Sequence, residues 1–74
     1  MPTLVRFANF EIDMYFEDHN PPHVHVVGRE FEVLVAIRDG AVLAGAAPPR
    51  ALRVAIRWIA DNRDTLIRKW DELH

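Results

Sequence analysis

The hydrophobic period of this chain changes once, and that change restricts its fold more than any other feature. Up to about residue 44 apolar and polar side chains alternate; from residue 50 the apolar ones recur every third or fourth position. Strands first and a helix last, without repeated strand–helix alternation, predict an α+β domain built on an antiparallel sheet. In residues 10–17 the even positions Phe10, Ile12, Met14 and Phe16 are apolar, which describes a strand with one buried face. Residues 30–37 repeat the pattern with Phe31, Val33, Val35 and Ile37 inward. Between them Val24 and Val26 take the core side, so His23 and His25 face outward.

Turn chemistry orders four to five short strands into a meander. A turn at Ala8-Asn9 sets Phe7 beside Phe10, Arg6 beside Glu11 and Val5 beside Ile12. A two-residue loop at Gly28-Arg29 would set Val27 opposite Glu30, Val26 opposite Phe31, His25 opposite Glu32 and Val24 opposite Val33, matching apolar with apolar and polar with polar. Asp39-Gly40 reads as a third hairpin, with Ile37 opposite Val42, Leu43 opposite Ala36 and an edge strand ending near Ala44.

After Ala46-Ala47-Pro48-Pro49 the residues Leu52, Ala55, Ile56, Ile59, Leu66, Trp70 and Leu73 form one helical stripe over residues 50–73. Such a helix would be about 36 Å long against about 20 Å for a short strand, so a bend is expected near Asp61-Asn62. Trp70 is expected in the core, and Trp58 beside the stripe. Seventy-four residues with no cysteine allow a single domain over residues 1–74, and a core this small favours association or a bound ion. No apolar run has signal-peptide or membrane-span length, which reads as a soluble cytoplasmic protein with no membrane role.

Chemistry concentrates in Asp18-His19-Asn20-Pro21-Pro22-His23-Val24-His25. His23 and His25, two apart on a strand, can present both imidazoles to one ligand, and imidazole suits zinc, copper, nickel or iron. For the third metal ligand there are two candidates. His19 would lie about 12 Å from His23 along an extended proline segment and needs a turn to return. Glu32, expected opposite His25, is the other; it could equally orient an imidazole or share acid/base work with it. Acid/base catalysis by His23, His25 and Glu32, as in a metal-independent ribonuclease, therefore stands beside a metal site of His19, His23 and His25, and beside a purely structural role. With neither serine nor cysteine in the sequence, nucleophilic catalysis by those side chains is excluded.

Two surfaces are candidate contacts. The outer sheet face mixes Glu11, Asp13, Tyr15, His23, His25 and Glu32 with Val27, Leu34, Ala36 and Leu43, and Tyr15, Leu34 and Leu43 are its expected partner contacts. Arg50, Arg53, Arg57 and Arg68 share one side of the helix, where Arg53 and Arg57 could meet an acidic partner or RNA phosphates. Residues 1–49 carry three basic against seven acidic side chains and residues 50–74 six against four, so the net −2 hides a mildly basic C-terminal part.

The run DHNPPHVHV, with FEIDMYFE upstream, a DG turn downstream and a helix containing RWIADNRDTLIRKW, resembles the bacterial domain-of-unknown-function family 4160 over nearly the whole chain. The His-x-Pro-Pro-His-x-His signature falls on His19, Pro21, Pro22, His23 and His25. The resemblance implies a small standalone protein working with a second small protein encoded beside it, as one component, with the toxin role open to it, of a toxin–antitoxin-like pair. The small core and the mixed sheet face separately raise the expectation of association with a copy of itself.

Overall fold

The computed structural model describes residues 3–74. Five strands form one antiparallel sheet in chain order: β1 (Thr3–Arg6), β2 (Phe10–Asp13), β3 (His23–Gly28), β4 (Glu32–Ala36) and β5 (Val42–Ala46). Two helices follow, α1 (Pro49–Asp61) and α2 (Arg63–Leu73). One buried cluster joins Ile12, Met14, Val24, Val26, Val33, Val35 and Ile37 from the sheet region to Ala55, Ile59, Leu66 and Trp70 from the helices. The expected α+β meander is therefore present, and Trp70 is a core residue as its place on the stripe implied. Among the described residues no helix is long and apolar enough to cross a membrane.

The first hairpin has the expected register, with Val5 opposite Ile12 and Arg6 opposite Glu11. The second does not. Gly28 N–H donates to the Phe31 carbonyl at 2.9 Å, so the two-residue loop is Arg29-Glu30, one position later than expected. Val24 then pairs with Val35, His25 with Leu34 and Val27 with Glu32. A Cβ on Gly28 would clash with the Phe31 ring. This glycine thus serves close approach within the strand and not a left-handed turn, which is why a turn-based reading misplaced it. The pairing moves by two residues, and a shift of two preserves every side chain's face.

The third connection is longer than a two-residue hairpin. Ala36 N–H donates to the Ala41 carbonyl, leaving residues 37–40 as the loop, with Gly40 at φ +74° and the Asp39 carboxylate accepting from Ala41 N–H. An irregularity in β5 between the partners of Leu34 and Val35 leaves Leu43 unpaired, so it does not lie opposite Ala36. Two other expectations fail for related reasons. β2 stops at Asp13, and beyond it Met14 is still buried while Phe16 turns out to 68% exposure. Leu73, on the last turn of α2, is 43% exposed although the stripe would place it inward.

The helix break is complete where a bend was expected. The molecule's longest dimension is 29 Å, shorter than an unbroken helix of that length. Asn62 ends α1: its backbone N–H reaches the carbonyls of Trp58 and Ile59, and its side-chain amide donates to the Trp58 carbonyl at 2.8 Å. An asparagine that bonds back to the preceding turn competes with helix continuation. Arg63 Nε then donates to the Ile37 carbonyl at 2.7 Å, pinning the start of α2 to the β4–β5 loop. Gly28→Ala should destabilise the fold by about 1–3 kcal/mol, because the Phe31 ring must leave its seat. Phe31→Leu in the Gly28→Ala background should recover part of that loss in a thermal melt; an unchanged midpoint for Gly28→Ala alone would contradict the packing described.

Candidate metal centre

Strand alternation puts His23 and His25 on the same side of β3, away from Val24 and Val26, as expected. They are not on a solvated face, however: the side chains are only 8% and 12% exposed. The loop of residues 14–22, which contains a cis Asn20–Pro21 bond, carries Asp18 back over them. The Asp18 carboxylate oxygen Oδ2 lies 2.9 Å from His25 Nε2 and 3.3 Å from His23 Nε2. One ligand atom from each of the three residues falls within 4.8 Å of the others.

The far sides of both rings are already engaged. His23 Nδ1 is 2.8 Å from the Pro21 carbonyl oxygen, and His25 Nδ1 is 2.8 Å from Glu32 Oε2. A carbonyl only accepts, so His23 Nδ1 donates to Pro21; His25 lies between two carboxylates, Glu32 at Nδ1 and Asp18 at Nε2, and its ring can donate to either. Aromatic contacts hold the planes. Tyr15 meets His25 edge-on at 4.7 Å, and Trp70 lies 5.4 Å from His23 and stacks with His74 at 3.8 Å.

Of the residues singled out from sequence, His23, His25 and Glu32 converge. Glu32 reaches His25 diagonally, since its cross-strand partner is Val27 and not His25. His19 is exposed and lies outside the cluster; its neighbour Asp18 takes the place foreseen for it. The only signal for Asp18 was its position at the head of the histidine segment, since an extended-chain distance cannot say which residue a turn brings back. Among the expected contact residues, Tyr15 and Leu34 are half-buried beside His25, and Leu43, Arg53 and Arg57 are exposed.

An acidic pair flanks this centre. Asp13, opposite His25 in the sheet, is buried with Oδ1 lacking any partner, and Oδ2 accepts from the Tyr15 hydroxyl at 3.3 Å. Burial, with Glu11 beside it, pushes the Asp13 carboxyl above its ordinary 3.8. The neighbouring Asp13 carboxyl, and then the Thr3 hydroxyl that donates to Glu11 at 3.1 Å, hold Glu11 below its ordinary 4.5. Burial, reinforced by Asp13, raises the Tyr15 hydroxyl.

A family model described as a domain of unknown function, DUF4160, matches residues 9–71. The chain belongs to that family. The matched stretch includes β2 to β5, α1, nearly all of α2 and every residue of the candidate centre. No curated protein and no solved structure matches the chain.

The acidic pair makes the stability of this DUF4160 protein depend on pH in a definite direction. A carboxyl raised in the folded state stabilises in its protonated form: the Asp13 contribution is complete below pH 3.8 and lost as pH rises through the raised value. Glu11 acts in the opposite sense, contributing fully above 4.5 and losing it as pH falls through the lowered value. Asp13→Asn, neutral at every pH, should therefore raise the thermal midpoint at pH 7, with the gain shrinking toward pH 4. A variant less stable than wild type at pH 7 would contradict this.

Proposed function

We propose that this DUF4160 protein binds a divalent transition-metal ion between Asp18, His23 and His25, with Glu32 and the Pro21 carbonyl orienting the two rings. The observation that carries the proposal is the convergence of one ligand atom from each of Asp18, His23 and His25 within 4.8 Å of one another. Two imidazole nitrogens and a carboxylate oxygen face one another, and a cation between them satisfies all three. Ligands about 2.0–2.1 Å from a tetrahedral zinc lie about 3.3–3.4 Å apart; the two separations to Asp18 are 2.9 and 3.3 Å, and all three ligand atoms lie within 4.8 Å of one another. Histidines whose second nitrogen donates to a carboxylate or carbonyl are the usual arrangement around such ions. Mixed imidazole and carboxylate ligands favour zinc, copper, nickel or iron over magnesium or calcium. Three protein ligands leave a coordination position for water or a small ligand, as in sites where the ion acts as a Lewis acid.

A second reading, histidine acid/base chemistry on RNA, draws on the Glu32–His25 contact, which could orient a proton-transferring imidazole. It is the weaker proposal. Both Nε2 atoms are turned to Asp18, and Glu11, Asp13, Asp18 and Glu32 crowd this part of the sheet with charges that repel phosphodiesters. Service as one component of a toxin–antitoxin-like pair remains a proposal about context that either chemistry would accommodate.

Titration of tag-free protein with Co²⁺ or Ni²⁺ tests the metal reading, and Trp70 offers a local reporter once Trp58→Phe removes the other indole. Binding should saturate at one ion per chain and quench Trp70, which touches His23. Asp18→Asn and His25→Ala should abolish it, Glu32→Gln should weaken it by roughly 10–100-fold, and His19→Ala should leave it unchanged. Stoichiometric uptake that survives the double change His23→Ala, His25→Ala would defeat the proposal, as would no uptake at all. Metal-independent RNA cleavage lost in that variant would favour the second reading.

A further inference from the structure

We infer that the chain associates head to tail, the Phe16–Glu17 loop of one copy entering an aromatic groove at the far end of the next. Phe16 is the starting point. It is 68% exposed, the most open large apolar side chain among the described residues, and Glu17 beside it is exposed and in no ion pair among them. Both lie on the loop between β2 and β3.

At the opposite end of the strands Phe7 and Phe10 stack at 4.7 Å and, with Phe31, Pro48 and the 42%-exposed Val54, line a cavity of about 360 Å³. It adjoins a larger one of about 990 Å³ through Phe31 and Pro48. An apolar cavity of ~150 Å³ already admits a benzene ring, so the groove has room for a phenyl side chain. Arg50 lines the smaller cavity and Arg29 the larger; both are exposed, and neither is in an ion pair among the described residues. Glu30 is the one carboxylate lining either.

An apolar groove flanked by two guanidinium groups fits an aromatic residue followed by a carboxylate, which is what Phe16-Glu17 presents. The chain's own loop cannot reach it, because the six residues of β3 separate the two ends by roughly 17–20 Å. A second copy can. The contact joins different surfaces of each copy, so association is heterologous and builds rings or open chains. One phenyl anchor and one or two surface ion pairs give weak association that salt weakens further. No metal ion takes part.

Sedimentation equilibrium on the full chain, with a chelator at low salt over about 10 µM to 1 mM, spans the affinities such a contact can have. The mean mass should rise above the 8.5 kDa monomer with concentration. Phe16→Ser should weaken association at least about tenfold, as loss of a central aromatic anchor does, with an unchanged thermal midpoint. Glu17→Arg and Arg50→Glu should each weaken it, and the two together should restore it. A constant monomer mass overturns the inference and leaves the groove to another protein's segment. Association untouched by Phe16→Ser, or unrestored by the charge exchange, overturns it as well.

Discussion

Strand β3 has to satisfy two environments at once, and much of the molecule is arranged around that requirement. Backbone alternation sends Val24 and Val26 into the core, where both are fully buried, and so forces His23 and His25 to the other side. Imidazoles placed that close together need partners for four ring nitrogens. The Pro21 carbonyl and Glu32 occupy the two Nδ1 atoms, one from the segment before β3 and one from the strand after it. The two Nε2 atoms are left with Asp18 between them. A strand that only had to bury two valines would need neither the returning loop of residues 14–22 nor a carboxylate at the start of β4.

The histidine side is coupled to the core. Trp70 belongs to the buried cluster yet also touches His23, and His74 stacks on it. A cation at the centre would therefore brace α2 as well as three side chains. Small domains without disulfides commonly need such a staple, because their apolar burial only narrowly exceeds the entropy of ordering the chain. Asn62 makes this coupling matter, since it separates α2 from α1 and leaves the second helix to be held by Leu66, Trp70 and the Arg63 bond to Ile37. The buried Asp13, with an unpartnered oxygen two strands' width from this centre at most, shows that the same region tolerates electrostatic cost.

How far the sequence was readable depended on whether a feature was set by faces or by loops. Face assignments came through: Ile12, Val24, Val26, Val33, Val35 and Ile37 are buried as period-two alternation requires. They survived a wrong pairing of β3 with β4 because the error was two residues, and for the same reason Glu32 still meets His25, diagonally. The register itself depended on whether Gly28 turned the chain or made room for Phe31, and spacing cannot distinguish those uses. Loop residues were least legible. Asp18, not His19, returns to the histidines, and Phe16 leaves the core face once β2 ends at Asp13. In each case the deciding factor is the path of an irregular segment with no period to read. The family match extends what the signature His19, Pro21, Pro22, His23 and His25 suggested, but the site's chemistry had to come from geometry.

The central claim is that two imidazoles held by their Nδ1 hydrogens aim their Nε2 atoms at a shared cation. Long-range proton–nitrogen correlation spectra of ¹⁵N-histidine-labelled protein, recorded with and without one equivalent of Zn²⁺ at neutral pH, observe this directly. The account predicts that with zinc both His23 and His25 are neutral Nδ1–H tautomers, their Nε2 resonances shift together, and His19 and His74 stay unchanged. Nε2–H tautomers in the zinc-treated protein, or Nε2 resonances that ignore the ion, would contradict it.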